Sequence, residues 1–278
     1  MSGAAPPKGA HGPAVYTIPA GVPFVDALAA GLHARVGGGP EALAQATVLL
    51  PTRRACRALR EAFLRQSGGR PLLLPRLTPL GDVDEDELAL AGLGEPPPGG
   101  GTGGGFGVPP EISGLRRHLL LTRLVLAFEG RRTTADQAAR LAAELARLLD
   151  QVHTEGLGFD ALAELVPEEF ADHWRITLKF LRIITERWPA VLAEEGCVDP
   201  MVRRNLLLEA QADAWRKAPP EGPVVAAGST GSIPATADLL AVIDRGGALA
   251  PLFAGAPGLN AAERRRVTRE EAWILGVA

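Results

Sequence analysis

The sequence predicts an α/β fold built on a parallel β-sheet. Two strand–turn–helix units follow each other near the amino terminus, and another apolar segment with strand character returns only after a long helical region. Strands that alternate with helices run parallel, because each helix carries the chain back to the edge where the previous strand began. Hydrophobic residues make up 46% of the chain and aromatic residues only 5%. This balance favours helices packed on strands over an aromatic-rich sandwich.

The first unit begins with an apolar strand, Val15 to Ile18. After a turn rich in proline and glycine, Phe24, Leu28 and Leu32 recur at helical spacing. The glycine run 37–39 is a helix-stop signal and predicts the end of this helix.

The second unit consists of a strand at 46–50, a turn in which Thr52 is the predicted N-cap, and a helix over 53–66. One helix face carries Cys56, Leu59 and Phe63, and another carries Arg53, Arg57 and Arg60. A third short apolar run, 72–77, predicts another strand.

The chain then turns helical from Ile112 to about Ala218. The first helix is predicted to present Leu115, Leu119, Thr122 and Val125 on one face. A later helix is marked by Trp174, Leu178, Leu181 and Ile184 and is expected to end at Trp188-Pro189, and Asp199-Pro200 opens another. A strand at 223–227 and a helix from Ala237 to about Ile243 complete the pattern.

These features predict a division of the chain into six segments. They are a disordered lead-in (1–14), the first part of an α/β domain (15–94), a flexible Gly/Pro-rich insert (95–110), a helical insertion (111–220), a return to the α/β domain (221–245) and a tail with no assigned place in the fold (246–278).

Several classes of protein are disfavoured by the composition. Two cysteines, Cys56 and Cys197, form neither a disulfide framework nor a zinc-binding spacing. No secretory signal and no apolar run of about 18 residues occurs, so we expect a soluble cytoplasmic protein. The five histidines are scattered, and a net charge of −3 argues against general coating of nucleic acid, although it permits a local basic patch.

The first turn occupies the position of a phosphate-binding loop but lacks its chemistry. Such a loop needs several glycine amides, a lysine and a Ser or Thr. Here Gly21 stands between Pro19 and Pro23, and proline has no N–H to donate. We therefore interpret this segment as a structural turn.

The second turn is a candidate phosphate contact. Thr52, Arg53 and Arg54 combine a hydroxyl, helix-terminal amides and two guanidinium groups, which suit the backbone of a nucleic acid. The alternative is a solvated arginine face, and the sequence leaves both open.

Two further segments are candidate ligand sites. The run Asp82, Asp84 and Asp86 lacks the glycine and distal glutamate of a calcium loop, so a solvated loop is favoured. After the strand at 223–227 a working ATPase would carry acidic residues. Gly228, Ser229 and Thr230 stand there instead, and they suit either a phosphate contact or a capped tight turn.

Five blocks of the sequence resemble, in order, the amino-terminal region of alphaproteobacterial AddB proteins, subunits of the AddAB helicase–nuclease that processes DNA double-strand breaks. The blocks are 17–24 (TIPAGVPF), 50–55 (LPTRRA), 74–76 (LPR), 79–86 (PLGDVDED) and 228–236 (GSTGSIPAT).

The resemblance implies a RecA-like domain of the superfamily 1 helicase type with an inserted helical domain. It also implies a catalytically degenerate subunit that lies along DNA beside an AddA-like motor, with Thr52 to Arg54 contacting single-stranded DNA. The nuclease site and the cysteine-bound iron–sulfur cluster of the family belong to a carboxyl-terminal domain. Cys56 and Cys197 do not match the cluster ligands, so no cofactor is expected in this chain.

The sequence departs from the family pattern after Asp244, which suggests a truncated or frameshifted copy. Three hypotheses follow: a DNA-binding part of an AddB-type subunit, an NTPase with an atypical phosphate loop, and a non-functional fragment with exposed sheet edges.

Overall fold

The structure is a computed structural model that describes residues 16–19, 21–36, 40–81, 107–128, 134–157, 180–220, 222–245 and 249–254. The chain divides into two compact units. The first comprises Met1–Leu93, Leu208–Ser232 and Thr236–Ala278, and the second comprises Gly94–Leu207 and Ile233–Ala235.

The first unit is the α/β unit, and it confirms the predicted parallel sheet. Its elements are β1 (Tyr16–Ile18), α1 (Phe24–Val36), α2 (Pro40–Ala44), β2 (Thr47–Leu50), α3 (Arg53–Ser67), β3 (Arg76–Pro79), β4 (Val224–Ala227) and β5 (Leu249–Ala254), with α8 (Pro234–Arg245) between the last two strands. The five strands lie in the order β1-β5-β4-β2-β3, and every described pair is parallel.

The core of this unit lies where α1 and α3 cover β2 and β4. Val48 and Leu50 of β2 and Val225 and Ala227 of β4 alternate along their strands and pack into one cluster with buried leucines of the two helices. All four residues of β4 are buried, as expected for a strand covered on both faces. Arg65 joins the two helices, because its guanidinium lies 2.6 Å from Asp26 Oδ1.

The second unit is helical in its described residues. It contains α4 (Gly114–Leu126), α5 (Ala135–Thr154), a π-helical turn (Ile183–Arg187), α6 (Trp188–Glu195) and the start of α7 (Pro200–Lys217). Buried Ala138, Ala142, Leu145 and Leu149 recur at helical spacing along α5 and pack in one core cluster with Leu121 and Val125 of α4.

Buried charges lie in the helical unit. Asp199 is fully buried, and its carboxylate accepts a 2.8 Å hydrogen bond from Trp188 Nε1 and lies 2.7 Å from Arg117 Nε. Arg117 also lies 2.9 Å from Asp150 Oδ1 and donates to the carbonyl of Ala146. A short parallel bridge between Glu111 and Val198 brings the two chain segments together.

The structure corrects the predicted inner face of α4. Leu115 and Leu119 are 72% and 54% exposed, whereas Arg117, Leu121 and Val125 are buried. Of the residues on the predicted face, Val125 therefore packs in the core, whereas Leu115 and Leu119 do not. A long arginine stem packs well in a core when its charge has a buried partner, and Asp199 provides one.

Three element boundaries also differ from the predictions. The third strand is Arg76–Pro79, displaced from the apolar run 72–77. The helix expected to end at Trp188-Pro189 continues to Glu195, because a π-helical turn precedes the proline and relieves the clash that Pro189 would make in a regular helix. The last helix begins at Pro234 rather than Ala237.

The tail 246–278, to which the sequence analysis assigns no place in the fold, contributes β5 between β1 and β4. Several sequence predictions lie outside the described residues: the lead-in 1–14, the acidic run 82–87, most of the insert 95–110, the glycine run 37–39, and Trp174 and Leu178.

Candidate nucleic-acid interface at the carboxyl edge of the sheet

The predicted site residues lie on turns that leave the carboxyl edge of the sheet. Thr52 follows β2 and Ser229 follows β4, and β2 and β4 are neighbours in the sheet. From β2 the chain continues through α3 to β3 on one side, and from β4 it continues through α8 to β5 on the other. In open α/β sheets ligands bind in the crevice where neighbouring connections diverge in this way.

Pro51 is the point at which three segments meet. Its carbonyl accepts a hydrogen bond from the amide of Gly81 at 3.1 Å. A Cβ on Gly81 would lie 2.7 Å from that oxygen, and a Cβ on Gly228 would lie 3.8 Å from Cδ of Pro51 and 3.4 Å from the ring of Phe24. Glycine at position 81 therefore lets the end of β3 close on the β2 turn, whereas a Cβ at position 228 would make only ordinary van der Waals contacts.

Thr52 caps α3, as predicted. Its backbone is extended (φ −143°, ψ 158°), and its hydroxyl oxygen accepts a 3.1 Å hydrogen bond from the amide of Ala55. This bond satisfies one of the amides that a helix start leaves without an intrahelical partner. The hydroxyl hydrogen is not used in this bond, so Thr52 can donate it to an anion. Thr52, Arg53 and Arg54 are all exposed.

The turn after β4 is organised by its own side chains. Gly228 has φ +70°, a conformation that favours glycine. The Ser229 hydroxyl accepts a 3.4 Å hydrogen bond from the Gly231 amide, and Thr230 and Ser232 share a 3.2 Å hydroxyl–hydroxyl bond. Ser229 and Thr230 are half-buried, so only part of each residue is accessible to a ligand.

The turn after β1 offers fewer donors than a phosphate loop. The Val22 amide is used, because it donates to the carbonyl of Pro19 at 3.2 Å. Gly21 takes φ +92° in this turn, and Pro19 and Pro23 contribute no N–H. Phe24, the first residue of α1, instead places its ring against Gly228.

The described residues of these three turns carry positive charge. Arg53 and Arg54 are cationic, and residues 19, 21–23, 51–52 and 228–233 include no carboxylate. The amino terminus of α3 adds the positive end of a helix dipole at the same place. Together these groups can hold a phosphate oxygen by charge-assisted hydrogen bonds.

The part of the chain that the structure describes contains no cluster of three or more His, Cys, Asp or Glu side chains placed to hold a metal ion. In the helical unit Arg117 lies between Asp150 and Asp199, so a guanidinium occupies the place that a cation would take. None of the described helices is long and apolar enough to cross a membrane.

Sequence reasoning missed two residues at this edge. Phe24 was assigned only to a helix face, and Pro51 only to a turn, although both contact the Gly228 position. A proline directly after one buried strand and a glycine directly after another are the only local signals. Neither signal reveals which strands are neighbours.

No protein-family model matches the chain, and no curated protein sequence matches it. A functional assignment therefore depends on the residues and their geometry.

Proposed function

We propose that the α/β unit binds the phosphate backbone of single-stranded DNA at the crevice between the β2–α3 and β4–α8 turns. The observation that carries this proposal is that the turn before exposed Arg53 and Arg54 and the Gly228–Thr230 turn leave neighbouring strands, at the point where the connections of those strands diverge. Backbone contacts of this kind give affinity without base recognition.

The proposal extends to the context in which the DNA is bound. The ordered blocks that resemble AddB support a role as the helicase-like, catalytically degenerate part of an AddB-type subunit in double-strand break repair and recombination. An AddA-like helicase–nuclease subunit is then the partner, and broken DNA ends are the substrate. The insertion of helices between β3 and β4 is consistent with a RecA-like domain that carries an inserted helical domain.

The direct test is binding of a labelled oligo-dT strand by the full chain and by the double variant Arg53→Ala/Arg54→Ala. We expect the variant to bind about tenfold more weakly near 0.1 M salt, because two phosphate contacts are lost. The plot of log Kd against log salt should also lose about 1.4 units of slope, since each contact to a single strand contributes about 0.7.

A matched control removes the same charge elsewhere. Arg140 and Arg147 are exposed on α5 and make only surface ion pairs with Asp136 and Glu144. The variant Arg140→Ala/Arg147→Ala should retain the binding and the slope of the parent chain. Equal loss in both double variants would mean that net charge alone drives binding, and the proposed site would be rejected.

The same preparations test nucleotide hydrolysis. The proposal predicts no ATP turnover that depends on Gly21, because the β1–α1 turn has few free donors. Turnover that is abolished by Gly21→Val would instead support an atypical phosphate loop and contradict the proposal of a non-enzymatic DNA contact.

A further inference from the structure

The exposed residues in the first half of α3 are all arginines. From 53 to 60 they are Arg53, Arg54, Arg57 and Arg60, and the other residues of this stretch are buried or half-buried. Arg53, Arg57 and Arg60 are spaced by four and three residues, so they lie within about 60° of one another around the helix axis. These three side chains form an arginine stripe that begins at the crevice and runs along the helix away from it.

The outer two arginines of the stripe are not neutralised by the residues that the structure describes. On other helices, exposed arginines pair with a carboxylate three or four residues away, as do Arg140 with Asp136, Arg147 with Glu144, Arg182 with Glu186 and Arg216 with Asp213. Arg60 has no carboxylate at such a position, and Arg57 forms no ion pair with Glu61 one turn further on. Neither arginine makes a hydrogen bond to a described residue. Their charges are therefore available to a partner.

Like charges face each other along the stripe. Arg53 and Arg57 are four residues apart and Arg57 and Arg60 are three apart, and like charges at these spacings destabilise a helix. Glu61 is the one acidic residue of α3, and Arg65 beyond it is neutralised by an aspartate of α1. The excess positive charge is therefore confined to the first half of the helix, and a polyanion on this face would relieve the repulsion.

The stripe has the length of a short run of phosphates. Arg53 and Arg60 are seven residues apart, which is about 10 Å along the helix axis. Consecutive phosphates of a strand in duplex DNA rise by about 3.4 Å, so this distance corresponds to about three phosphate steps. Each guanidinium presents a fork of N–H donors that matches a phosphate group. A strand that enters at the crevice and follows the helix therefore meets two further cations.

The stripe has no exposed aromatic or apolar neighbour between residues 53 and 60 of α3, a helix that the structure describes in full. Phe63 is the one aromatic residue of this helix, and it is 1% exposed. Proteins that hold the bases of a single strand stack them on exposed aromatic rings, and protein–protein interfaces are built around an apolar centre. The stripe therefore suits a phosphate backbone better than it suits bases or an acidic protein segment.

We propose that a single DNA strand bound at the crevice continues along α3, with successive phosphates on Arg57 and Arg60. This inference rests on the proposed function, because the crevice fixes where the strand enters. The added contacts are to phosphate alone, so they lengthen the bound segment and raise the affinity without adding base recognition.

The test is titration of the full chain with an oligo-dT strand of about 16 nucleotides, the upper end of the range that one single-strand binding module covers. Arg57→Ala/Arg60→Ala should bind about tenfold more weakly near 0.1 M salt, and its plot of log Kd against log salt should lose about 1.4 units of slope. When Arg53→Ala/Arg54→Ala is added, the total loss of slope should reach about 2.8 units. Arg57→Lys/Arg60→Lys keeps both charges and should keep the slope.

A matched control and a stability measurement separate DNA binding from a structural role. Arg140→Ala/Arg147→Ala removes two exposed charges from α5 and should bind like the parent chain. Arg57→Ala/Arg60→Ala should melt at the temperature of the parent or higher, because the removal of like charges relieves repulsion. A lower melting temperature, together with loss of binding in Arg57→Lys/Arg60→Lys, would assign these arginines to the structure and overturn the proposal.

The variants distinguish failure of this inference from failure of the proposed function. A parent-like slope in Arg57→Ala/Arg60→Ala with a reduced slope in Arg53→Ala/Arg54→Ala would confine the strand to the crevice and overturn only the continuation along α3. Parent-like binding in both double variants would reject the proposed function and this inference with it. Equal loss in the α5 control would attribute the effect to net charge and overturn the inference. A polyglutamate peptide of the same charge that binds as tightly as oligo-dT, and depends on Arg57 and Arg60, would assign the stripe to an acidic protein instead.

Discussion

Arg117 and Asp199 form a buried ion pair inside the helical unit, with Nε of the arginine 2.7 Å from Oδ1 of the aspartate. Side-chain exposure is 8% for Arg117 and nil for Asp199. Trp188 shares the carboxylate by donating from Nε1 at 2.8 Å. The carbonyl of Asp199 also accepts the amide of Arg203 in the first turn of α7, so the same residue joins three helices.

Removing the carboxylate should destabilise the helical unit strongly. In Asp199→Ala, the Arg117 guanidinium and the Trp188 N–H lose their partner while they remain buried. Breaking one side of a buried pair costs about 3–5 kcal/mol. We expect a loss of this size in the free energy of unfolding, measured by urea denaturation. Asp199→Asn keeps an acceptor for Trp188 and should cost less, and equal stability of Asp199→Ala and the parent would contradict the assigned role.

His153 should make the helical unit sensitive to mild acid. Burial is the main cause that lowers the pKa of His153 below its ordinary value of about 6.5, and the nearby Asp199 opposes this effect. A lowered pKa means that the unfolded chain binds the proton more readily. The stability contribution is then present above about pH 6.5 and is lost as the pH falls below it.

Thermal melts between about pH 5 and pH 7 measure this effect. The upper limit is about 1.4 kcal/mol per pH unit for one proton. His153→Gln cannot titrate and should flatten the profile. An identical pH dependence in the variant would assign the acid sensitivity to other groups.

Gly228 should resist substitution more than a helical glycine does. At φ +70°, alanine is strained by about 1–2 kcal/mol, although its Cβ would make only an ordinary contact with the Phe24 ring at 3.4 Å. Gly228→Ala should lower the melting temperature and weaken oligo-dT binding. Gly31 is a matched control, because it lies in α1 with open space around its Cβ position, and Gly31→Ala should be neutral or stabilising by up to about 1 kcal/mol. Tolerance of Gly228→Ala would mean that residue 228 does not need the left-handed backbone conformation in the β4–α8 turn.

Both thiols should react slowly in the folded chain. Cys56 is 3% exposed in the α/β core, and burial raises the pKa of Cys197 above its ordinary value. The nucleophilic thiolate is therefore scarce near neutral pH. An Ellman titration should release little product until denaturant is added, and then both thiols should react. If an early phase is seen and is lost in Cys197→Ser, that phase belongs to Cys197. Rapid reaction of Cys56 would contradict the packing of α3.

The local elements of the α/β unit follow directly from the sequence. Phe24, Leu28 and Leu32 at helical spacing predict α1, and the structure confirms it from Phe24 to Val36. Thr52 before an apolar helical pattern predicts a cap, and the hydroxyl bond to Ala55 confirms it. These features depend on neighbours in the chain, so periodicity and capping chemistry suffice.

Long-range pairing could not be predicted in the same way. The sequence assigned no place to the segment that forms β5, yet Leu249–Ala254 lies between β1 and β4. Its pattern is weak, and a strand in a parallel sheet is specified mainly by the partners on either side.

The α/β class, the parallel strands, the cap at Thr52 and the lack of donors at Pro19 and Pro23 were predictable from the chain's residues alone, because each depends on local periodicity or on the chemistry of one residue type. The contacts of Pro51 with Gly81 and Gly228, and the inward orientation of Arg117 toward Asp199, depend on tertiary structure. These contacts join residues far apart in the chain, and the buried charge of Arg117 is compensated only after folding has brought Asp199 to it.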